Sequence, residues 1–212
     1  MQRDNILTPE SPEFDSALHW GHRYRHRGNS GAGVYNRLAA FKAEVINHFI
    51  KEKGLRSAIE FGAGDGNQLA LYSIPEYLGL DVSQTVISRL QRIFASDPAK
   101  RFMLVDDYQG ERAELSMSID VIFHLVEDAV FDAYMTLLFN AAEQYVVIYS
   151  SNREESAQKV AHVRHRKFTR WVMRNREEWF CRRYVSNKYP EVPGDSDTSF
   201  CDFYFFEKKN SK

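Results

Sequence analysis

The sequence predicts an α/β fold: a doubly wound, mostly parallel sheet, with an antiparallel hairpin at the C-terminal end and a helical lid at the N-terminal end. From residue 57 onward, short apolar runs alternate with stretches of helical periodicity, the pattern of a parallel sheet covered on both faces. The first run, Ser57-Ala58-Ile59-Glu60-Phe61, passes straight into Gly62-Ala63-Gly64-Asp65-Gly66, where the backbone can turn sharply and approach a ligand without Cβ atoms intervening. The second run, Tyr77-Leu78-Gly79-Leu80-Asp81, ends in an acid about 20 residues on. That is the spacing at which an α/β nucleotide-binding unit offers a carboxylate to a ribose.

The elements follow in order. Residues 1–18, with Pro9 and Pro12, read as a loose arm. Residues 20–33 are aromatic, then basic, then glycine-rich, ending in Gly28-Asn29-Ser30-Gly31-Ala32-Gly33. Between 34 and 53, Leu38, Phe41, Val45 and Phe49 recur at helical spacing, and Gly54 closes the helix. After the glycine turn come a short helix near 67–72, the strand 77–81 and a helix over 83–95 with Ser83 as its N-cap. Strands are expected at 102–105, 119–123 and 145–149, with a helix over 128–144 between the last two. A basic helix spans 165–179, and β-like stretches near 182–189 and 200–207 form the hairpin through Pro190, Pro193 and Gly194. This divides the chain into an arm and lid at 1–33 and a main domain at 34–212.

The chain has 212 residues, 28 Lys and Arg against 29 Asp and Glu, and two cysteines, Cys181 and Cys201. That length buries a substantial single core, and the charge balance argues against a nucleic-acid partner. No apolar run approaches the ~18 residues of a membrane span, and Met1-Gln2-Arg3-Asp4 leads into no signal-like segment. A cytoplasmic location is the expectation. Two cysteines make no disulfide framework, and no Cys/His spacing suggests a metal. Basic residues cluster at 22–27 and outnumber acids between 153 and 183, patches suited to an anionic ligand or to a solvated helix face.

In an open α/β sheet, ligands lie beyond the carboxyl ends of the strands. Glu60 and the glycines, Asp81, Asp106 with Asp107, His124 and Asn152 each fall at or just past such an end. The dinucleotide pattern GxGxxG is not satisfied, because Asn67 stands where its third glycine belongs.

Glu60-Phe61-Gly62-Ala63-Gly64-Asp65-Gly66 instead resembles motif I of the class I S-adenosylmethionine-dependent methyltransferases, whose fold is Rossmann-like. Tyr77-Leu78-Gly79-Leu80-Asp81-Val82-Ser83 and Asp120-Val121-Ile122-Phe123-His124-Leu125-Val126-Glu127-Asp128 extend the resemblance over about 57–151. It implies S-adenosylmethionine as cofactor, held by Glu60, Gly62, Ala63, Gly64, Asp81, Val82, Asp106, Asp107 and Tyr108. Asp81 would take the ribose, Asp106 or Asp107 the adenine amino group, and Gly62 and Gly64 the methionine part. Nitrogen-methylating members often carry Asp/Asn-Pro-Pro-Tyr/Phe after strand four; Phe123-His124-Leu125 in its place favours an oxygen acceptor, with His124 as general base.

The flanks 28–35 and 162–166 look like those of small methyltransferases encoded with bacterial surface-polysaccharide (capsule or O-antigen) genes, some associated with O-methyl phosphoramidate decoration. That implies a small anionic or glycosyl acceptor. Arg23, Tyr24, Tyr35, Asn152, Arg164 and His165 are the candidate acceptor contacts, joined by His162 and Arg166. Residues 20–35 read either as a lid excluding water or as an anchor for the arm. Two other functions stay open, a nicotinamide-dependent oxidoreductase and a catalytically silent binding module.

Overall fold

A computed structural model describes residues 15–26, 30, 31, 33, 35–154 and 161–209. The expected arm at 1–14, Gly28, Asn29 and Ala32 of the glycine-rich stretch, and Arg27 of the basic cluster lie outside the described residues. Seven strands form one sheet in the order β3-β2-β1-β4-β5-β7-β6. β1 (Ser57–Phe61), β2 (Glu76–Asp81), β3 (Lys100–Leu104), β4 (Ala113–Ile119) and β5 (Ala142–Ser150) run parallel. β7 (Asp202–Lys208) pairs antiparallel with both β5 and the edge strand β6 (Trp179–Val185).

The sheet is buried on both faces because helices cover both. On one side, α2 (Asn36–Lys53) and α3 (Gln84–Ile93) set Phe41, Ile46, Phe49, Ile87 and Leu90 against Ala58, Leu115, Met117 and Phe203. On the other, α4 (Asp128–Asn140) and α5 (Phe168–Asn175) set Phe131, Met135, Leu138 and Val172 against Ile59, Phe61, Leu80 and Ile148. Ile59 and Phe61 serve one face and Ala58 the other, the strand period of two. Each fully buried Phe or Leu contributes about 1.5–3 kcal/mol. As expected, Ser83 Oγ caps α3 by accepting from Val86 N.

Several boundaries differ from the sequence expectation. The fourth strand ends at Ile119, and 120–124 form a turn rather than a strand. Ser116 and Ser118 interrupt the apolar run in β4, whereas Val121, Ile122 and Phe123 look more strand-like in sequence. Both serines are nevertheless fully buried, and Tyr134 Oη donates to Ser118 Oγ at 2.7 Å. α4 stops at Asn140 because Ala142 already starts β5. The segment near 67–72 is a 3-10 turn, Leu69–Leu71, rather than a helix. The basic helix is shorter than expected, and Trp179 opens β6 instead of closing that helix. Ser16, Ala17 and Leu18 belong to α1 (Ser16–Arg25), whose N-cap Asp15 accepts from Leu18 N at 2.8 Å, so they are no loose arm.

Candidate active site

The site begins where β1 ends. Gly62, at φ +89°, donates its N–H to Leu80 O at 2.8 Å, and Ala63 N reaches the same carbonyl at 2.9 Å. A Cβ on Gly62 would sit 2.5 Å from Val121 Cγ2, so the turn after β1 presses directly on the turn after β4. Gly64, at φ +59°, donates to Asp81 Oδ2 at 3.1 Å, and a Cβ there would meet Ser30 Oγ at 2.6 Å. Asp81 Oδ1 accepts from Ser83 N at 2.9 Å. Two neighbouring turns are thus locked together through one carboxylate.

Both acids at these strand ends are buried. Burial pushes the Asp81 carboxyl up to about 6, opposed by the amides of Ser83, Gly64 and Val82. Burial likewise pushes Glu60 up to about 7, opposed by the Tyr77 hydroxyl, which donates to Glu60 Oε2 at 2.6 Å, and by Lys42.

Asp65 ties the N-terminal segments to this turn. Its Oδ2 accepts from Tyr35 Oη at 2.6 Å and from Ser30 N at 3.1 Å, while its own N–H donates to Ser30 Oγ at 2.9 Å. Burial raises the Asp65 carboxyl, but Tyr35, Ser30 and Asn67 outweigh it and hold the group below its ordinary value. Tyr24 of α1 shares a hydrogen bond with Ser30 Oγ at 2.8 Å, and burial raises its phenol.

The turn after β4 supplies the opposite wall. Asp120 takes φ +59°, a left-handed conformation rare outside glycine, and its Oδ2 lies 2.5 Å from Lys42 Nζ. His124 Nδ1 bonds His162 O at 2.9 Å; a carbonyl only accepts, so Nδ1 carries the proton and Nε2 keeps its lone pair. Trp20 of α1 meets the His124 ring edge-on at 4.6 Å between centroids. Burial pushes His124 down to about 4.

Between these walls is a cavity of about 450 Å³, at the carboxyl ends of β1, β2 and β4. The strand order reverses here, between β1 and β4, the position where open α/β sheets hold ligands. A second cavity of about 360 Å³ shares Ser30, Asp120 and His124 with the first. Loop 191–200 provides most of its outer wall.

No protein-family model matches the chain, and no curated protein matches it in sequence. Solved structures do match in fold. The N-methyltransferase NodS from Bradyrhizobium japonicum, in complex with S-adenosyl-L-homocysteine, is similar with a TM-score of 0.72 at 13% identity, over 92% of this chain and 99% of that one. Magnesium protoporphyrin IX methyltransferase (ChlM) from Synechocystis, with bound S-adenosyl-L-homocysteine, gives 0.64 at 13% identity, over 92% and 96%. An S-adenosylmethionine-dependent methyltransferase from Clostridium acetobutylicum gives 0.61 at 10%, over 91% and 98%. This chain has the class I methyltransferase fold.

Within that methyltransferase fold the expected residues divide. Glu60, Gly62, Ala63, Gly64, Asp81, Val82, Tyr24 and His124 line the first cavity together. From the turn after β3 the lining takes Val105, whereas Asp106 and Asp107 are exposed. Tyr108 packs edge-on against Phe61 and donates to Glu111 O at 2.7 Å, away from the cavity. Tyr35 acts through Asp65, and the Arg23 guanidinium lies over the Trp20 ring at 5.5 Å.

The expected contacts after β5 line neither cavity. Asn152 Oδ1 accepts from Thr169 N and Oγ1 at the start of α5. Arg164 donates to Val126 O at 2.7 Å and to Asp128, and Arg166 binds Leu125 O, Val126 O and Asp128. His165 is buried, bonded to Ser151 Oγ at 2.6 Å and packed edge-on against Phe200. These groups satisfy the carbonyl-rich loop after the β4 turn and the ends of neighbouring elements.

Asp120, Asp65, Ser30 and Tyr134 were not singled out from sequence, although all four line the first cavity. An acid directly before an apolar run was the available signal for Asp120, and a place within the glycine turn was the signal for Asp65. Among the described residues, no group of three or more His, Cys, Asp or Glu could hold a metal ion, and no helix is long and apolar enough to cross a membrane.

Proposed function

We propose that this protein is an S-adenosylmethionine-dependent methyltransferase that methylates an oxygen of a small anionic or glycosyl acceptor, such as a surface-polysaccharide precursor or its phosphate or phosphoramidate modification. One observation carries this reading: a glycine turn, two buried carboxyls and the His124 imidazole line one cavity at the switch point of a methyltransferase-type sheet.

The residues fit the cofactor. The volume is that of a small-molecule site. The turn at Gly62 and Gly64 lines the cavity, and it closes this tightly against Val121 and Ser30 only because neither residue carries a Cβ. Asp81 and Glu60 are buried acceptors suited to a ribose diol and an ammonium group, and Val82, Val105 and Leu125 offer apolar surface for an adenine. The resemblances to structures holding S-adenosyl-L-homocysteine support the same assignment.

S-adenosylmethionine, when bound, supplies an electrophilic methyl carbon on a sulfonium. Asp81 and the amides of the glycine turn bind and orient. Trp20, Tyr24 and Ala17 of α1 form one side of the cavity and exclude water from it. His124, kept neutral by burial, offers Nε2 to the proton of an acceptor hydroxyl as that oxygen gains its methyl.

The test is calorimetric titration with S-adenosyl-L-homocysteine. Binding by the wild-type protein, weakened in Asp81→Ala, is the expected outcome. No binding, or binding of a nicotinamide dinucleotide instead, would refute the reading.

A further inference from the structure

We infer that the second cavity is the acceptor subsite and that it selects an uncharged, hydroxyl-rich glycosyl group rather than an anionic one. This rests on the methyltransferase reading above and narrows its substrate class.

Position is the first argument. The second cavity shares the lining residues Ser30, Asp120 and His124 with the first, so a molecule within it lies beside the imidazole, and none of the glycine turn Gly62–Gly66 lines it. The first cavity, bounded by that turn and by α1, is left for the cofactor.

Lining chemistry is the second. Among the described residues the wall holds three carboxylates, Asp120, Glu191 and Asp195, and hydroxyls from Ser196, Thr198 and Ser199. No Lys or Arg is among them. Phe123 and Phe200 meet edge-on at 5.0 Å between centroids and provide an apolar floor. Carboxylates accept from sugar hydroxyls, serine and threonine hydroxyls both give and accept, and aromatic faces cover the C–H face of a pyranose.

Charge is the third. Each carboxylate already has a cation set outside the lining: Lys42 for Asp120 at 2.5 Å, Arg153 for Glu191 at 3.6 Å and Arg37 for Asp195 at 2.9 Å. An incoming phosphate or carboxylate would still face three carboxylates with no lining cation to pair it. Arg164 and Arg166, the arginines read from sequence as anion ligands, are engaged with Val126 O and Asp128.

The wall is also braced in advance. Thr198 Oγ1 accepts from Val192 N at 3.0 Å and donates to Asp195 O at 2.7 Å, Asp195 Oδ1 accepts from Asp197 N, and Pro190 bridges Ser199. Preorganisation of this kind lowers the ordering cost of binding.

The experiment uses the full chain saturated with S-adenosyl-L-homocysteine and reads saturation-transfer NMR on three probe sets: methyl hexopyranosides, hexose 6-phosphates and hexuronates. The expected result is transfer to the neutral glycosides, with the phosphates and uronates weaker. Phe200→Ala should weaken glycoside binding about tenfold through loss of the ring. Ser196→Arg, at an exposed position that leaves the core untouched, should turn the preference toward the 6-phosphates.

Preference for an anionic set in the wild-type protein, transfer to none of the sets, or an unchanged preference in Ser196→Arg would overturn the inference. Calorimetry with S-adenosyl-L-homocysteine keeps the two readings apart. Cofactor binding with the wrong probe pattern defeats only the acceptor assignment, whereas absent cofactor binding defeats both.

Discussion

Lys42, fully buried on α2, pairs its ammonium with Asp120 at 2.5 Å across the face of the sheet. The pair holds the turn after β4 in a left-handed conformation that a non-glycine residue rarely adopts. It thereby sets where His124, four residues on, presents its ring.

Removing one member leaves the other charge without its partner. Lys42→Met should destabilise the fold by about 3–5 kcal/mol. Urea unfolding measures this, and the double variant Lys42→Met with Asp120→Asn should recover part of the loss. Equal stability of wild type and Lys42→Met would show that the pair contributes nothing.

Asp81 joins the glycine turn to the cavity and is placed for a ribose. Asp81→Ala should weaken S-adenosyl-L-homocysteine binding by about 1.5–3 kcal/mol, the value of a charge-assisted hydrogen bond. Unchanged calorimetric affinity would remove Asp81 from the cofactor site.

Protons should couple to that binding. Burial raises Asp81 from 3.8 to about 6 and Glu60 from 4.5 to about 7. Both acids hold protons more tightly when folded, so they favour the ligand-free fold at low pH. That contribution is lost as pH rises through about 6 and about 7. A ligand donating hydroxyl and ammonium hydrogens selects the ionised carboxylates. Affinity for S-adenosyl-L-homocysteine should therefore rise between about pH 5.5 and about pH 7.5 with proton release. Calorimetry in buffers of differing ionisation heat reads the protons, and a pH-independent affinity would contradict the linkage.

His124 runs the opposite way. Its imidazole falls from 6.5 to about 4, so its stabilising contribution is present above 6.5 and is lost as pH falls toward 4. His124→Ala should lower turnover about 10²–10⁴-fold with cofactor affinity nearly unchanged. Wild-type turnover in that variant would exclude it as the base. In the wild-type protein, the rate should show no inflection near 6.5 attributable to this residue.

Gly64 tests the turn itself. Gly64→Ala adds a methyl against Ser30 Oγ at a positive φ and should cost about 1–2 kcal/mol from the backbone alone. Thermal unfolding, together with weakened cofactor binding, checks it.

Much of the fold was legible because local chemistry dictates it. β1, the glycine turn, β2 and the Ser83 cap need only neighbouring residues to specify them, and they place Glu60, Gly62, Gly64 and Asp81 at the cavity. β4 was less legible, because Ser116 and Ser118 are polar yet buried under α4, and the partner that satisfies Ser118, Tyr134, comes from elsewhere in the chain. The expected contacts after β5 misled for a related reason. Arginine reads as an anion ligand, but Arg164 and Arg166 meet carbonyls at Leu125 and Val126 that only the folded chain brings near.

The sequence alone determined the alternation of strands and helices, the glycine-rich turn and the acid closing the second strand, because periodicity and backbone permissiveness are local properties. Tertiary structure alone decided that Asp120 is held by Lys42, that Asp65 fastens Ser30 and Tyr35, and that His124 is buried enough to stay neutral. It also placed the arginines outside both cavities. Those outcomes depend on burial and on partners distant in the chain, and the cost of leaving a charge or a carbonyl unpaired is settled only when the layers close.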